Sequence, residues 1–248
     1  MLFPGSRYRL EDFIEATGGI TSRETLYDHF RETMLSCGFD RVNFSIKHDD
    51  EVPEEDHRFG IISNYPEDWQ KHYAEAGYVR IDPVFRCAIS TFHPFRWRTL
   101  ERVLELSPAQ TRFLRLGEDA GLNNGIGIPF AGPRSQIAGV ALATSDRKAE
   151  HLTNMDLISA YCNQFYASYK RIIRARRPGP PRMICLSPRE QEVLKWVAAG
   201  KSDDAIATIL NVSANTIAYH LRNIFIKLDV NNRVTAVVVS MTQGLFEL

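Results

Sequence analysis

A tryptophan, a tyrosine and an aspartate in the first half of the chain have the residue types for hydrogen-bonded recognition of a small molecule. Trp69 and Tyr73 lie in the run Asn64-Tyr65-Pro66-Glu67-Asp68-Trp69-Gln70-Lys71-His72-Tyr73. Four residues apart, they share one face of a helix formed there. Asp82 follows in Ile81-Asp82-Pro83, and Trp97, Gly125 and Gly127 lie beyond it. An indole N–H donates, a phenol donates and accepts, and a carboxylate accepts. Each residue also has a plainer reading. Trp69 and Tyr73 suit a core, and Asp82-Pro83 suits a helix start with proline at its first position. A capping carboxylate with a lone pair left over is compatible with both readings.

The last sixty-odd residues carry a second kind of chemistry. From Leu186 the chain divides into helix-sized blocks, each opened by a capping residue. Ser187-Pro188 with Glu190 makes a capping box with proline at the first helical position. Ser202, Ser213 and Asn231 open the next three blocks. Gly200 closes the first, and Asn211-Val212 gives a short turn between the second and third. A short helix, a tight turn and a longer helix make a helix-turn-helix. In the third block Ile217, Leu221, Ile224 and Leu228 form one apolar stripe that must pack inward. The opposite face carries Asn215, Thr216, Tyr219, Arg222, Asn223 and Lys227, which suit phosphates and base edges in a DNA major groove. Considered alone, such a face also suits solvent on an ordinary small helical domain.

The elements that hold these residues follow from pattern. Helices are expected at 8–17, 22–37, 65–76, 82–91 and 107–121, and strands at 41–48, 58–63, 125–131 and 136–144. Val42, Phe44 and Ile46 alternate with Asn43, Ser45 and Lys47, which predicts a strand with two unlike faces. Leu152, Met155, Ile158, Cys162, Phe165, Tyr169 and Ile172 recur at helical spacing in a long helix that seals the domain or pairs with a twin. The run Arg176-Arg177-Pro178-Gly179-Pro180-Pro181 ends it, because prolines remove donors and restrict the residues before them. The expected organisation is a domain over 1–173, a basic, proline-rich linker over 174–183 and a helical domain over 184–248. The fold class is α+β: an N-terminal α-β-α sandwich around an antiparallel sheet, plus a C-terminal all-α four-helix helix-turn-helix domain. A cavity between sheet and helices is the natural place for a small molecule.

Composition agrees with a folded, two-domain chain. Of 248 residues, 44% are hydrophobic and 24% charged, and the formal net charge is zero. That balance argues against a nonspecific nucleic-acid coat, so DNA affinity must depend on local placement of charge and on salt. Lys170, Arg171, Arg174, Arg176, Arg177 and Arg182 form a basic stretch without acids. Cys37, Cys87, Cys162 and Cys185 have no Cys-x-x-Cys spacing, as expected of reduced thiols rather than a zinc site. With no signal peptide and no apolar run near the ~18 residues of a membrane span, a cytoplasmic protein without membrane contact is expected. No glycine-rich phosphate loop, metal cluster or nucleophile elbow stands out, so no enzyme is expected.

The C-terminal block resembles the LuxR-type (GerE-type) DNA-binding domain. The resemblance rests on Glu190, Leu194 and Gly200 and on Val212, Ser213, Thr216, His220, Ile224, Lys227, Leu228, Asn232, Arg233 and Ala236. Glu190 and Leu194 belong to its scaffold. Trp69, Tyr73, Asp82, Pro83, Trp97 and Gly125 resemble the signature of the LuxR-family autoinducer-binding domain, and the run from Asn64 to Pro83 is most like its LasR-type subgroup. The resemblance implies an N-acyl-homoserine lactone as ligand and no other cofactor. It implies that Trp69 donates to the lactone carbonyl, Asp82 accepts the amide N–H and Tyr65 donates to the acyl carbonyl. Tyr73 and Trp97 would wall the head group, and Phe59, Ile61, Phe85, Phe113 and Leu122 would line the tail. Asn43 and Ser45 add polarity if they face the cavity. Leu142 stands where family members often carry a ligand-bonding Ser or Thr. The expected partners are the autoinducer, double-stranded DNA, a second copy of the chain and, for an activator, RNA polymerase. The rivals are a regulator answering another small molecule or none, a phosphorylated response regulator and an enzyme. The helical opening RYRLEDFIEATGG speaks against a response-regulator receiver, which begins with a strand.

Overall fold

The computed structural model describes residues 9–91, 93–132, 136–148, 154–176 and 184–246. The expected residues Leu152 and Arg177 to Arg182 lie outside them. The described elements fall into two compact units, one before and one after the proline-rich run.

The first unit has a five-stranded sheet in the order β2-β1-β5-β4-β3. Its strands are β1 (Arg41–His48), β2 (Ile62–Ser63), β3 (Phe95–Arg96), β4 (Asn123–Gly132) and β5 (Gln136–Thr144). β1 runs antiparallel to both β2 and β5, and β3 runs antiparallel to β4. The seven α-helices of this unit among the described residues are α1 (Leu10–Gly19), α2 (Arg23–Ser36), α3 (Glu67–Glu75), α4 (Pro83–Thr91), α5 (Leu100–Val103), α6 (Pro108–Asp119) and α7 (Met155–Arg176). The two-residue edge strand β3 is too short to show a pattern. β2 is shorter than the expected 58–63 because the chain turns at Gly60, where φ is +62°.

The alternation of β1 divides the sheet into a dry face and a cavity face. Val42, Phe44 and Ile46 join Ile126, Ile128, Val140 and Leu142 against Phe13, Phe30 and Phe165 of α1, α2 and α7. Phe30 stacks on Phe165 at 4.3 Å, and Phe44 meets Phe165 and Tyr169 edge-on at 5.1 Å. Aromatic helix faces of this kind bury a large apolar area and form the main core.

Much of the basic stretch on α7 is spent inside this unit. Lys170 lies 2.9 Å from Glu51 and 3.7 Å from the buried Asp49, and Arg174 also pairs with Glu51. Arg171 donates to the carbonyls of Thr17 and Ile20 at 2.7 and 3.0 Å, capping the end of α1. Tyr166 and Tyr169 donate to Asp49 and Asp56. These bases staple the long helix to the loops beside β1.

The second unit contains α8 (Pro188–Ala198), α9 (Asp203–Ile209), α10 (Ala214–Leu228) and α11 (Arg233–Thr242). Ser187, Ser202 and Ser213 each accept a backbone N–H three residues on, the bond that starts each helix. The fourth cap is Asn232, which accepts from Thr235 at 2.8 Å, and not Asn231. Asp229 ends α10 in the left-handed region at φ +55°, so the chain needs three more residues to re-enter a helix. Ile217, Leu221, Ile224 and Leu228 are buried against Val193, Leu194 and Ile206.

Candidate ligand cavity and DNA-reading face

A cavity of about 370 Å³ lies between the second face of the sheet and helices α3, α4 and α6. Asn43, Ser45 and Lys47 of β1 and Gly139 and Ala141 of β5 line its sheet side. Tyr65, Trp69, Tyr73, Asp82, Trp97, Phe59, Phe85, Phe113 and Leu122 line it too, so the structure brings all of these expected residues together. Ile61 is not among the lining. It packs toward the main core and borders a separate pocket with Tyr27 and Asp56, because the turn at Gly60 swings it off the cavity face.

Asp82 shows how one carboxylate serves two purposes. Its Oδ1 accepts from the backbone N–H groups of Val84 and Phe85 at 2.8 and 3.2 Å, capping α4. Its Oδ2 accepts the Tyr73 hydroxyl at 3.0 Å and lies in the cavity wall. Asp82 is buried, and desolvation pushes its pKa up to about 6 against the pull of those three bonds. The same burial, with the Asp82 charge beside them, pushes the phenols of Tyr73 and Tyr65 up, so both stay protonated donors. The Tyr65 hydroxyl donates to the Ala141 carbonyl at 3.3 Å, a long bond that a better acceptor would displace.

The aromatic walls are placed by packing. Phe59 stacks on Tyr73 at 4.4 Å, and Phe113 meets Trp69, Tyr73 and Tyr78 at 5.6, 6.0 and 5.2 Å. Trp97 lies so close to β4 that a Cβ on Gly125 would fall 2.2 Å from its ring. Phe95 makes the same demand at Gly127, where the distance would be 2.4 Å. Both glycines leave the space that a ring packed against the sheet occupies. The indole nitrogen of Trp97 is buried without a hydrogen-bond partner, and that of Trp69 has none among the described residues. A cavity with two indole donors, a buried carboxylate and polarisable walls suits a ligand bearing a carbonyl and an N–H.

Some lining residues escaped the reading of the sequence. Val84, Ala88 and Ile89 of α4 also line the cavity: Val84 and Ala88 are an i, i+4 pair, and Ile89 lies four residues after the expected Phe85. Their helical spacing was the available signal. Leu142 is a correction. It is fully buried in the main core, on the dry face, and does not line the cavity. Ala141 and Gly139 occupy the cavity-facing positions of β5.

In the second unit Asn215, Tyr219 and Arg222 are exposed along α10, and Asn223 is half-buried. Arg222 has no hydrogen bond or ion pair among the described residues. Thr216 shares its hydroxyl with Ser213 at 2.9 Å, which ties it into the cap. Lys227 has a partner within its own unit. Its ammonium lies 2.6 Å from buried Glu190 and 3.3 Å from the Cys185 carbonyl, so it ties α10 to α8, a tie the sequence alone did not show. Burial raises the Glu190 carboxyl, but bonds from Lys227 and Ser187 carry it below its usual value.

Comparison with known proteins decides the family. The family model "Autoinducer binding domain" matches residues 22–168, and "Bacterial regulatory proteins, luxR family" matches residues 185–240. The chain belongs to the LuxR family. It is 32% identical to the transcriptional activator protein VanR of Vibrio anguillarum over 74% of this chain and 76% of that protein. It is 30% identical to the quorum-sensing-dependent regulator RpaR of Rhodopseudomonas palustris over 90% and 89% of the two chains. Escherichia coli SdiA has the same fold, with a TM-score of 0.68 at 20% identity over 95% of this chain and 97% of that one. This LuxR-family protein is thus a quorum-sensing transcriptional regulator with an autoinducer-binding domain and a helix-turn-helix DNA-binding domain. Among the described residues no group of side chains could hold a metal ion, and no helix is long and apolar enough to cross a membrane.

Proposed function

We propose that this regulator binds an N-acyl-homoserine lactone and, with it, a pseudo-palindromic operator as a homodimer. The observation that carries the reading is the buried Asp82 carboxylate in the cavity wall, with unpartnered indole N–H groups nearby. The amide N–H of the ligand donates to Asp82, a charge-assisted bond that restores what burial costs the carboxylate. Trp69 donates to the lactone carbonyl, and Tyr65 turns from the Ala141 carbonyl to the acyl carbonyl. Tyr73 holds Asp82 while Tyr73 and Trp97 enclose the ring.

Ligand binding stabilises the first unit by mass action, in proportion to the logarithm of ligand concentration over Kd. Two copies then present their α10 helices to successive major grooves about 34 Å apart. Asn215, Tyr219, Arg222 and Asn223 make the contacts. The relatives named as activators support activation through RNA polymerase, and a DNA-reading protein of this kind works in the cytoplasm.

A second reading keeps the regulator but changes the ligand to an acyl compound without a lactone. Its support is a solved complex of SdiA, a protein of the same fold, with octanoyl-rac-glycerol. A thermal melt of the purified protein with a lactone panel separates the two. A concentration-dependent rise in Tm with one acyl class is expected. A rise with acyl-glycerols and none with lactones overturns the lactone in favour of the second reading.

A further inference from the structure

Three successive cavity-facing positions of β1 are Asn43, Ser45 and Lys47, whereas the dry face of the same strand is wholly apolar. Asn43 is only 3% exposed. Its amide donates to the Ser45 hydroxyl at 3.1 Å, and Ser45 also accepts the Gly60 N–H at 2.9 Å. Once these bonds are made, the Asn43 carbonyl oxygen has no donor and the Ser45 hydroxyl hydrogen no acceptor among the described residues. Gly60 fixes the pair: it lends its N–H, and a Cβ there would lie 3.2 Å from the Asn43 oxygen. Polar groups buried against a plain hydrocarbon would remain unpaired, an unfavourable outcome that a ligand oxygen would remove.

The position of the stripe says which part of the ligand it meets. Asn43 sits on the same rung as Ala141, whose carbonyl takes the Tyr65 hydroxyl. Tyr65 is assigned above to the acyl carbonyl, so the stripe begins beside the start of the acyl chain. It then runs through Ser45 to Lys47, whose ammonium lies 5.6 Å from the centre of the Phe85 ring.

We infer that the Asn43–Ser45 pair selects an acyl chain carrying a hydrogen-bonding oxygen, oxo or hydroxyl, over an unsubstituted chain of equal length. The inference rests on the lactone reading of the cavity and adds the class of chain. Asn43 answers to an oxygen near the amide, and Ser45 to one farther along.

The test is calorimetric titration of the full-length protein with four lactones of one chain length. They are octanoyl, octanoyl with an oxo or a hydroxyl group on the third carbon, and octanoyl with a hydroxyl at its end. At least one oxygenated chain should bind about tenfold more tightly than octanoyl. Asn43→Leu should remove that preference by strengthening octanoyl, and the milder Ser45→Ala should narrow it in protein that folds normally. Octanoyl binding as tightly as all three oxygenated chains overturns the inference alone. So does a preference that survives both substitutions. No binding by any of the four overturns the lactone reading and this inference with it.

Discussion

The ligand cavity and the DNA-reading face use polar residues in opposite ways. In the cavity, Asp82, Asn43 and Trp69 are buried, the Trp97 indole nitrogen is buried without a partner, and Asp82 and Asn43 are held by neighbours that leave each one free valence. On α10, Asn215, Tyr219 and Arg222 stand in solvent with nothing behind them but the helix. A buried group is expensive to leave unpaired, whereas an exposed one is already satisfied by water. Changes in the cavity should therefore move stability and ligand binding together, and changes on α10 should move DNA affinity alone.

The largest effect should come from Gly125→Ala, which sets a methyl group into the space of the Trp97 ring. Overpacking at such a contact costs about 1–3 kcal/mol, and the displaced ring would no longer close the head-group site. Denaturant unfolding should show the loss of stability, and the same variant should give no lactone-induced shift in Tm. A variant as stable and as responsive as the parent would remove Trp97 from the site.

Asp82→Asn sharpens the comparison because the two effects have opposite signs. The Asp82 pKa is raised from 3.8 to about 6, so the folded protein keeps a proton that the unfolded chain releases. Ligand-free stability should therefore fall as pH rises from about 4 to about 6, by on the order of 3 kcal/mol, and stay low above that. Asparagine still caps α4 but carries no charge, so the ligand-free variant should melt higher than the parent at neutral pH. Its lactone affinity should drop. In the parent, the lactone-induced rise in Tm should be larger at neutral pH than at pH 5 or so, where Asp82 is protonated. An equal rise at both would argue that the amide N–H does not meet this carboxylate.

Lys227→Ala tests the boundary between the two kinds of residue. It lies on the reading helix by sequence, but it neutralises a buried glutamate. With the lysine partly exposed, the expected loss is about 1 kcal/mol of stability in the second unit after solvent screening. Weaker DNA binding with unchanged stability would return Lys227 to the DNA face. Arg222→Ala should have the smallest effect on the fold: no change in Tm, but roughly tenfold weaker operator binding with a shallower salt dependence. Undiminished affinity in an anisotropy titration at physiological salt would take Arg222 off the interface.

How much the sequence revealed tracks how local each feature is. The helix-turn-helix was legible nearly to the residue, because caps and the Ile217–Leu228 stripe lie within one or two helical turns of what they organise. The two faces of β1 were legible because its polar and apolar residues alternate. β5 offered no such phase: in Gln136–Thr144 both faces are small or apolar and mostly buried, so Leu142 could not be told from its cavity-facing neighbours. Ile61 was misplaced because a positive-φ glycine breaks the alternation just before it. Lys227 and Glu190 are distant in sequence, and their ion pair exists only once α8 and α10 have packed. Patterns show which face an element hides, and only the fold shows what that face meets.

The most direct test of the account is a calorimetric cycle on the head group. The parent and Asp82→Asn would each be titrated with one acyl-homoserine lactone and with its ester analogue, which lacks the amide N–H. The parent should lose about tenfold or more in affinity on going to the ester, and Asp82→Asn should show little or no difference. An equal loss in both proteins would mean that another group reads the amide, and the central assignment of the cavity would fall.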